Sequence, residues 1–293
     1  MSLERPRNHN EFGQDPMRLL LLGAACARLA IALSLPARHG ARAEGVLRVC
    51  ADPDNMPFSN EKGEGFENKL ATLIADKLGD RVAYSWFSEA TGYVPNTMGS
   101  DACDLVMGYA QGTGLIDDTN PYYYTSYVLI YRQGDQSLAG VERLSDPRLK
   151  GKKIGLFART PPASLIAMYG LAGNAKPFEV NADESLSKAA QKMLAEIGSG
   201  KLDVGILWGP VGGYYAEQSP VPLKLVPLAK ESAGPSTVYP ITMGVRPNEP
   251  QWKHTINKVL AENQAGIYAI LEGYNVPVLD ENGNPVAAAA AER

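Results

Sequence analysis

Histidine and cysteine are scarce in this chain, with three of each in 293 residues. His9, His39 and Cys26 fall within the first 43 residues, so beyond them only His254, Cys50 and Cys103 remain. That inventory argues against a zinc, iron or copper centre built on histidine and thiolate ligands. Catalytic motifs are equally thin. No G-x-S-x-G elbow occurs, and His254 lies in the last helical stretch with no serine motif to serve. Gly198-Ser199-Gly200-Lys201 lacks the spacing of a phosphate loop and reads as a helix end, and Gly63-Glu64-Gly65 has no glycine three residues on. Asp117-Asp118 and Asp280-Glu281-Asn282 are paired acids of the kind calcium uses, but such pairs are common on surfaces. No metal site and no catalytic residue is assigned.

Long apolar runs are also missing, except at the start. Met17-Arg18 opens a stretch from Leu19 to Pro36, apolar apart from Arg28, that ends at Ala41-Arg42-Ala43. A charged start, an apolar middle and a small-residue exit describe a secretory signal over residues 1–43, with Met17 a candidate true start. An uncleaved anchor helix is the alternative, and Arg28 interrupts the clean run it needs. Removing those 43 residues takes away six arginines and three acids, which leaves 22 basic and 29 acidic residues and a net charge near −7. An acidic exported chain with no second apolar run is expected to be soluble in the periplasm, binding neither nucleic acid nor an anionic membrane surface.

The remaining 250 residues suffice for two linked lobes, each with its own core. Leu47–Ala51 reads as a buried strand stopped by Asp52-Pro53-Asp54-Asn55-Met56-Pro57. Phe66, Leu70, Leu73, Ile74 and Leu78 then share one helical face, and Gly79 ends the helix. Strands follow at Val82–Phe87 and Cys103–Tyr109, giving the strand–helix–strand order of a parallel sheet. The pattern restarts after an apolar crossing strand at Tyr127–Tyr131. Lys153–Phe157, Phe178–Val180, Leu202–Trp208 and Leu223–Val226 are its strands, and helices fall near Ala163–Leu171 and Glu184–Ile197. Val238–Val245 reads as a return crossing. Gln251–Glu272 reads as one long amphipathic helix, bent or interrupted at Gly266. The expected organisation is lobe 1 from 44–132 and 238–275, lobe 2 from 133–237, and a flexible tail over 276–293. Ligands of open α/β sheets lie outside the carboxyl ends of the strands. That rule points to the loops at 52–58, 109–113, 157–161 and 208–215.

These residues carry a resemblance. Leu-Arg-Val-Cys-Ala-Asp-Pro-Asp-Asn-Met-Pro-Phe-Ser-Asn (47–60), Leu-Lys-Gly-Lys-Lys-Ile-Gly (149–155) and Leu-Asp-Val-Gly-Ile-Leu-Trp-Gly-Pro-Val-Gly-Gly-Tyr-Tyr (202–215) resemble amino-acid-type periplasmic solute-binding proteins. Cys50-Ala51-Asp52-Pro53, Pro57-Phe58-Ser59-Asn60 and Gly65-Phe66-Glu67-Asn68 are similar, more narrowly, to the J proteins of methanol-oxidation operons, the MxaJ and XoxJ types. The resemblance implies the two-lobed α/β periplasmic-binding-protein fold, two parallel-core sheets joined by two crossing strands. It also implies a non-catalytic accessory role in methanol utilization for a quinoprotein methanol dehydrogenase subunit, in assembly, cofactor delivery or activation. No resident cofactor follows from it; transient pyrroloquinoline quinone (PQQ) is one candidate ligand. Two other readings stand beside it: the substrate-binding protein of an ABC importer for a solute other than an amino acid, and an enzyme on the same scaffold, such as a dehydratase, which the sparse acid–base inventory opposes.

Departures from the amino-acid binders bear on that choice. Those proteins clamp the ligand carboxylate with an arginine soon after the third strand. Here nothing basic occurs from Gly108 to Tyr131, and Leu115 and Ile116 stand near that position. The aspartate that holds the α-ammonium is replaced by Trp208. Arg159 stands where the binders usually carry a glycine, and meets an anionic ligand, sits solvated at the lobe edge or pairs with a surface acid. The candidate cleft residues for a ligand or partner segment are Asp52, Asn55, Phe58, Tyr109, Gln111, Phe157, Arg159, Thr160, Trp208 and Tyr214. Cys50 and Cys103 present a conflict: exported cysteines usually pair. Yet if Asp52 and Tyr109 mark the ends of neighbouring strands, the thiols sit about four residues out of step, or roughly 13 Å. A disulfide needs Cα atoms within about 7 Å, so the register argues for two free thiols.

Overall fold

The computed structural model describes residues 45–89, 93–112, 114, 116–180 and 185–286. The signal segment, Leu115 and Ala287–Ala291 lie outside the described residues. The chain opens with β1 (Val46–Ala51), followed by the two-residue strands β2 (Asp54–Asn55) and β3 (Ser59–Asn60), which pair with each other. Helix α1 (Phe66–Leu78) begins at Gly65, whose amide donates to the Asn68 side chain at 3.0 Å. A Cβ on Gly65 would stand 2.0 Å from the Phe58 carbonyl oxygen, so only glycine lets the loop pass there. Phe66, Leu70 and Ile74 cover the sheet, and Gly79 stops the helix in the left-handed conformation.

Strand β4 (Arg81–Trp86) pairs with β1 in parallel, and after helix α2 (Tyr93–Asn96) strand β5 (Leu105–Ala110) pairs with β1's other edge. The short β6 (Asp117–Asp118) leads into β7 (Tyr123–Arg132). The second half is built from β8 (Ile154–Phe157), α3 (Pro161–Met168), β9 (Ala175–Phe178), α4 (Leu186–Gly198), β10 (Val204–Trp208), α5 (Gly209–Glu217) and β11 (Leu223–Pro227). Strand β12 (Val238–Val245) returns to the first half, and α6 (Pro250–Glu262) and α7 (Gln264–Glu272) pack there.

The principal strand order is β4-β1-β5-β12-β7-β10-β8-β9, and the junction explains the two lobes. β7 pairs through Tyr123–Ser126 with β12, then changes partner at Tyr127 and pairs with β10, while β11 takes its other edge. β7 therefore belongs to both halves, while β12 pairs with β5, β6 and the first part of β7 in the first half's sheet. Separate cores form on either side. One is centred on Phe66, Leu70, Ile74 and Met243, and the other half has two, around Leu129, Ile154 and Leu165 and around Ile130, Met193 and Leu207. No described helix is long and apolar enough to cross a membrane.

Three expectations are corrected. The final helix is two helices, broken at Asn263 and not bent at Gly266. The Asn263 side chain donates to the Val259 carbonyl at 2.8 Å, offering the backbone a partner other than the helix ladder. Gly266 instead allows close packing, since a Cβ there would lie 3.2 Å from Leu73. Residues 276–286, expected as the start of a loose tail, pack back: Val276, Val278 and Leu279 are buried, and the Leu279 amide donates to the Tyr124 carbonyl at 2.8 Å. The third correction is the disulfide. Cys50 and Cys103 are bonded, with Cα atoms 5.5 Å apart. Strand β5 starts only at Leu105 and Cys50 aligns with Val106, so Cys103 precedes the strand. Asp101 is left-handed and the Ala102 amide bonds back to Thr97, so the chain reaches β5 from a turn, which removes the offset an extended approach would impose.

Candidate functional site

A cavity of about 590 Å³ opens at the carboxyl ends of β8, β9 and β10, against the crossing strands. Its size falls in the usual range for small-molecule sites. Four of the ten residues expected at the cleft stand on its wall: Phe157, Arg159, Thr160 and Trp208. Phe157 ends β8, Arg159 and Thr160 lead into α3, and Trp208 ends β10 and precedes α5. Trp208 is partly exposed. Its ring centroid lies 5.1 Å from that of Tyr127 and 5.6 Å from that of Tyr239, with Tyr127 and Tyr239 6.2 Å apart. All three contacts are edge-to-face, an arrangement that rings favour over flat stacking. Burial, with the neighbouring Tyr239, pushes the Tyr127 hydroxyl up to about 12. Both tyrosines are absent from the sequence-derived list. The available signal was their position: each opens or adjoins the crossing segment, which forms the floor of a two-lobed cleft.

The other six candidates divide into two groups. Phe58 and Tyr214 belong to a contact between lobes. Phe58 packs on Phe66 with centroids 5.2 Å apart and touches the cores of both halves, while Tyr214 stacks on Tyr274 at 5.9 Å. Beside them the Met56 carbonyl accepts from Tyr215 at 3.2 Å and from Ser187 at 3.1 Å. Asp52, Asn55, Tyr109 and Gln111 instead lie on lobe 1. Asp52 accepts from the amides of Asp54 at 2.9 Å and Glu89 at 2.6 Å, and Asn55 donates to the Glu89 carboxylate at 2.8 Å. Gln111 is exposed, held by its amide to the Pro240 carbonyl at 3.1 Å. None of these six lines the aromatic cavity.

Lobe 1 gathers acids that the sequence reading did not single out. Glu67 lies against Gly108: a Cβ there would stand 2.3 Å from its Oε1, and Gly108 has φ +75°. Burial and the charge of Glu89 hold the Glu67 carboxyl well above the usual carboxylate range. Glu89, on the rim, is pushed up to about 7 by the surrounding protein and by Asp52, against the opposing hydrogen bond from Asn55. Tyr93 and Tyr109 are raised too, through burial first and then these same carboxylates. The disulfide, Met98 and Ile116 form the apolar cluster on which Tyr109 rests. Ile116 is thus a core residue, and no charged anchor replaces the arginine of the amino-acid binders at that point.

Elsewhere acids serve structure. Asp117 pairs with Lys253 at 2.7 Å, Asp118 accepts from Gly112 and Thr242, and Asp280 closes its own turn on Asn282 and Asn284. Among the described residues, no group of three or more His, Cys, Asp or Glu is placed to share a metal ion. Asp104 is fully buried. Burial alone would raise its carboxyl, but hydrogen bonds from Arg48 and Arg246 hold it below the usual range.

The sequence profile of the bacterial extracellular solute-binding proteins, family 3, matches residues 47–274. Protein MoxJ of Paracoccus denitrificans is 28% identical over 247 residues, which are 80% of this chain and 89% of that protein. The crystal structure of the periplasmic binding protein XoxJ from Methylobacterium extorquens AM1 is 42% identical, covering 80% of this chain and 100% of that one with a TM-score of 0.68. The crystal structure of MxaJ from Methlophaga aminisulfidivorans MPT is 26% identical over 80% of this chain and 100% of that one, with a TM-score of 0.71.

Proposed function

Because the chain belongs to the bacterial extracellular solute-binding proteins, family 3, we propose that it is a non-catalytic periplasmic accessory protein of the J type. Its partner on this reading is a PQQ-dependent methanol dehydrogenase, which it serves in assembly, cofactor delivery or activation during methanol utilization. The observation that carries the reading is the cleft itself: Trp208, which stands where amino-acid binders carry an aspartate, joins Tyr127 and Tyr239 in an aromatic wall. Similarity to XoxJ and MxaJ across the whole of their chains supports the same reading. An aromatic wall grips flat apolar groups, whether of a small molecule or of a partner's side chains.

The test is capture from periplasm with the intact protein, followed by mass spectrometry of proteins and small molecules together. Recovery of a methanol dehydrogenase subunit, lost on Trp208→Ala, is the expected result. Recovery of a solute and an importer subunit, with no dehydrogenase, overturns the reading. That outcome defines the second reading, the substrate-binding protein of an importer for a solute other than an amino acid, which the preformed 590 Å³ cavity favours.

A further inference from the structure

Four described non-glycine residues have left-handed backbone: Asp101, Arg159, Asn248 and Asn275. Aspartate and asparagine tolerate that region through their short polar side chains, whereas arginine has no such compensation. Arg159, at φ 61°, is the one of the four on the cavity wall. It is exposed, and among the described residues it makes no hydrogen bond and no ion pair. Thr160 beside it turns its hydroxyl inward, donating to the Phe157 carbonyl at 2.7 Å. The rest of the wall is dominated by aromatic and aliphatic residues such as Trp208, Phe178 and Leu207, with one acid, Glu179. A charge held at an unfavoured backbone angle and left without a partner marks a site that serves something other than the fold.

We propose that the cavity binds a planar apolar molecule carrying a single anionic group, with the rings of Trp208, Tyr127 and Tyr239 against its body and Arg159 on its charge. The inference deepens the reading of this chain as a binding protein and rests on the cavity being its binding site. Arginine suits a carboxylate because its planar fork donates two parallel hydrogen bonds. Glu179 on the same wall opposes a second negative charge. A ligand with several carboxylates, PQQ included, would meet that acid as well as Arg159, which separates the cavity's ligand from that cofactor.

Calorimetry with four naphthalene probes tests this: naphthoate, naphthylmethanol, naphthylmethylammonium and naphthalene dicarboxylate. Naphthoate is expected to bind tighter than the alcohol by about ten- to hundredfold, the worth of one charge-assisted contact. Arg159→Gln should reduce that preference to within about twofold while leaving the thermal midpoint unchanged. Equal affinities, a preference for the ammonium or the dicarboxylate, or a preference that survives Arg159→Gln would each overturn the proposal. Failure of all four probes to bind would overturn it too, while recovery of the dehydrogenase in the capture experiment would leave the accessory role standing.

Discussion

Replacing Cys50 and Cys103 together by alanine isolates the contribution of the bridge. The disulfide closes a loop of 53 residues. On the chain-entropy model, cross-linking a loop of that length removes about 4 kcal/mol of freedom from the unfolded chain. Both sulfurs are buried beside Met98 and Val106, so trimming them also leaves unfilled space, an effect that adds to the loss. For a chain of this size, about 4 kcal/mol corresponds to a fall in the thermal midpoint of roughly 10 °C. The assay is thermal and denaturant unfolding of the intact protein and the double variant, with and without reductant. Reductant should lower the midpoint of the intact protein toward that of the variant and leave the variant unmoved. Thiol labelling of the unfolded, unreduced protein should find neither Cys50 nor Cys103 reactive. Two reactive thiols, or a double variant melting within about 2 °C of the parent, would refute the reasoning.

Calorimetry against a panel of common amino acids should detect no micromolar binder. Neither zwitterion anchor is present, and losing two charge-assisted contacts weakens binding by roughly 10²–10⁴-fold. Trp208→Ala should abolish cavity binding while costing less than the roughly 3–5 kcal/mol of a fully buried tryptophan, because the ring is partly exposed at a strand end. A larger loss in denaturant melts would make it a core residue. Glu67 and Glu89 are raised in the folded state, so between about pH 4.5 and 7 the folded protein holds more protons than the unfolded chain. Stability should therefore rise as pH falls through that window, and Glu67→Gln should flatten the slope and raise the midpoint at neutral pH. A midpoint that climbs with pH in the parent would contradict the assignment.

The fold was legible because its units announce themselves locally. Val46–Ala51, apolar apart from Arg48, is stopped by Asp52-Pro53, Val204–Trp208 is stopped by Gly209-Pro210, and the Phe66–Leu78 stripe lies between two glycines. Phe157, Arg159, Thr160 and Trp208 were reachable from one rule, that ligands meet strand carboxyl ends, and the cavity stands there. The same rule also selected Phe58 and Tyr214, which pack between the two halves and do not line the cavity, and loop position alone does not separate the two roles. Glu67 was hidden inside an amphipathic helix, where a first-turn acid ordinarily faces water and favours the helix N-terminus. Gly108, far along the chain, lies against it, and Tyr84, Tyr109, Tyr122 and Tyr123 are close enough to feel its charge. The disulfide escapes the register argument for a related reason: Cys103 and Asp104 precede β5 in a turn and not in an extended strand.

The exchange of partners along β7 has a mechanical side. Between Ser126 and Tyr127 the chain passes from one sheet to the other, and β12 runs beside it through Val238. Each sheet is stiffened by several strands, so relative rotation of the lobes concentrates in this narrow two-stranded ribbon, as in hinged domain closure. Tyr239 is carried on that ribbon, Tyr127 is the register partner of Trp208 in the second sheet, and both tyrosines face the cavity. Twisting the ribbon moves the Tyr239 ring against Tyr127 and Trp208. The hinge and the gripping surface meet at Tyr239, so a guest that wedges its ring away from the other two acts directly on the angle between the lobes.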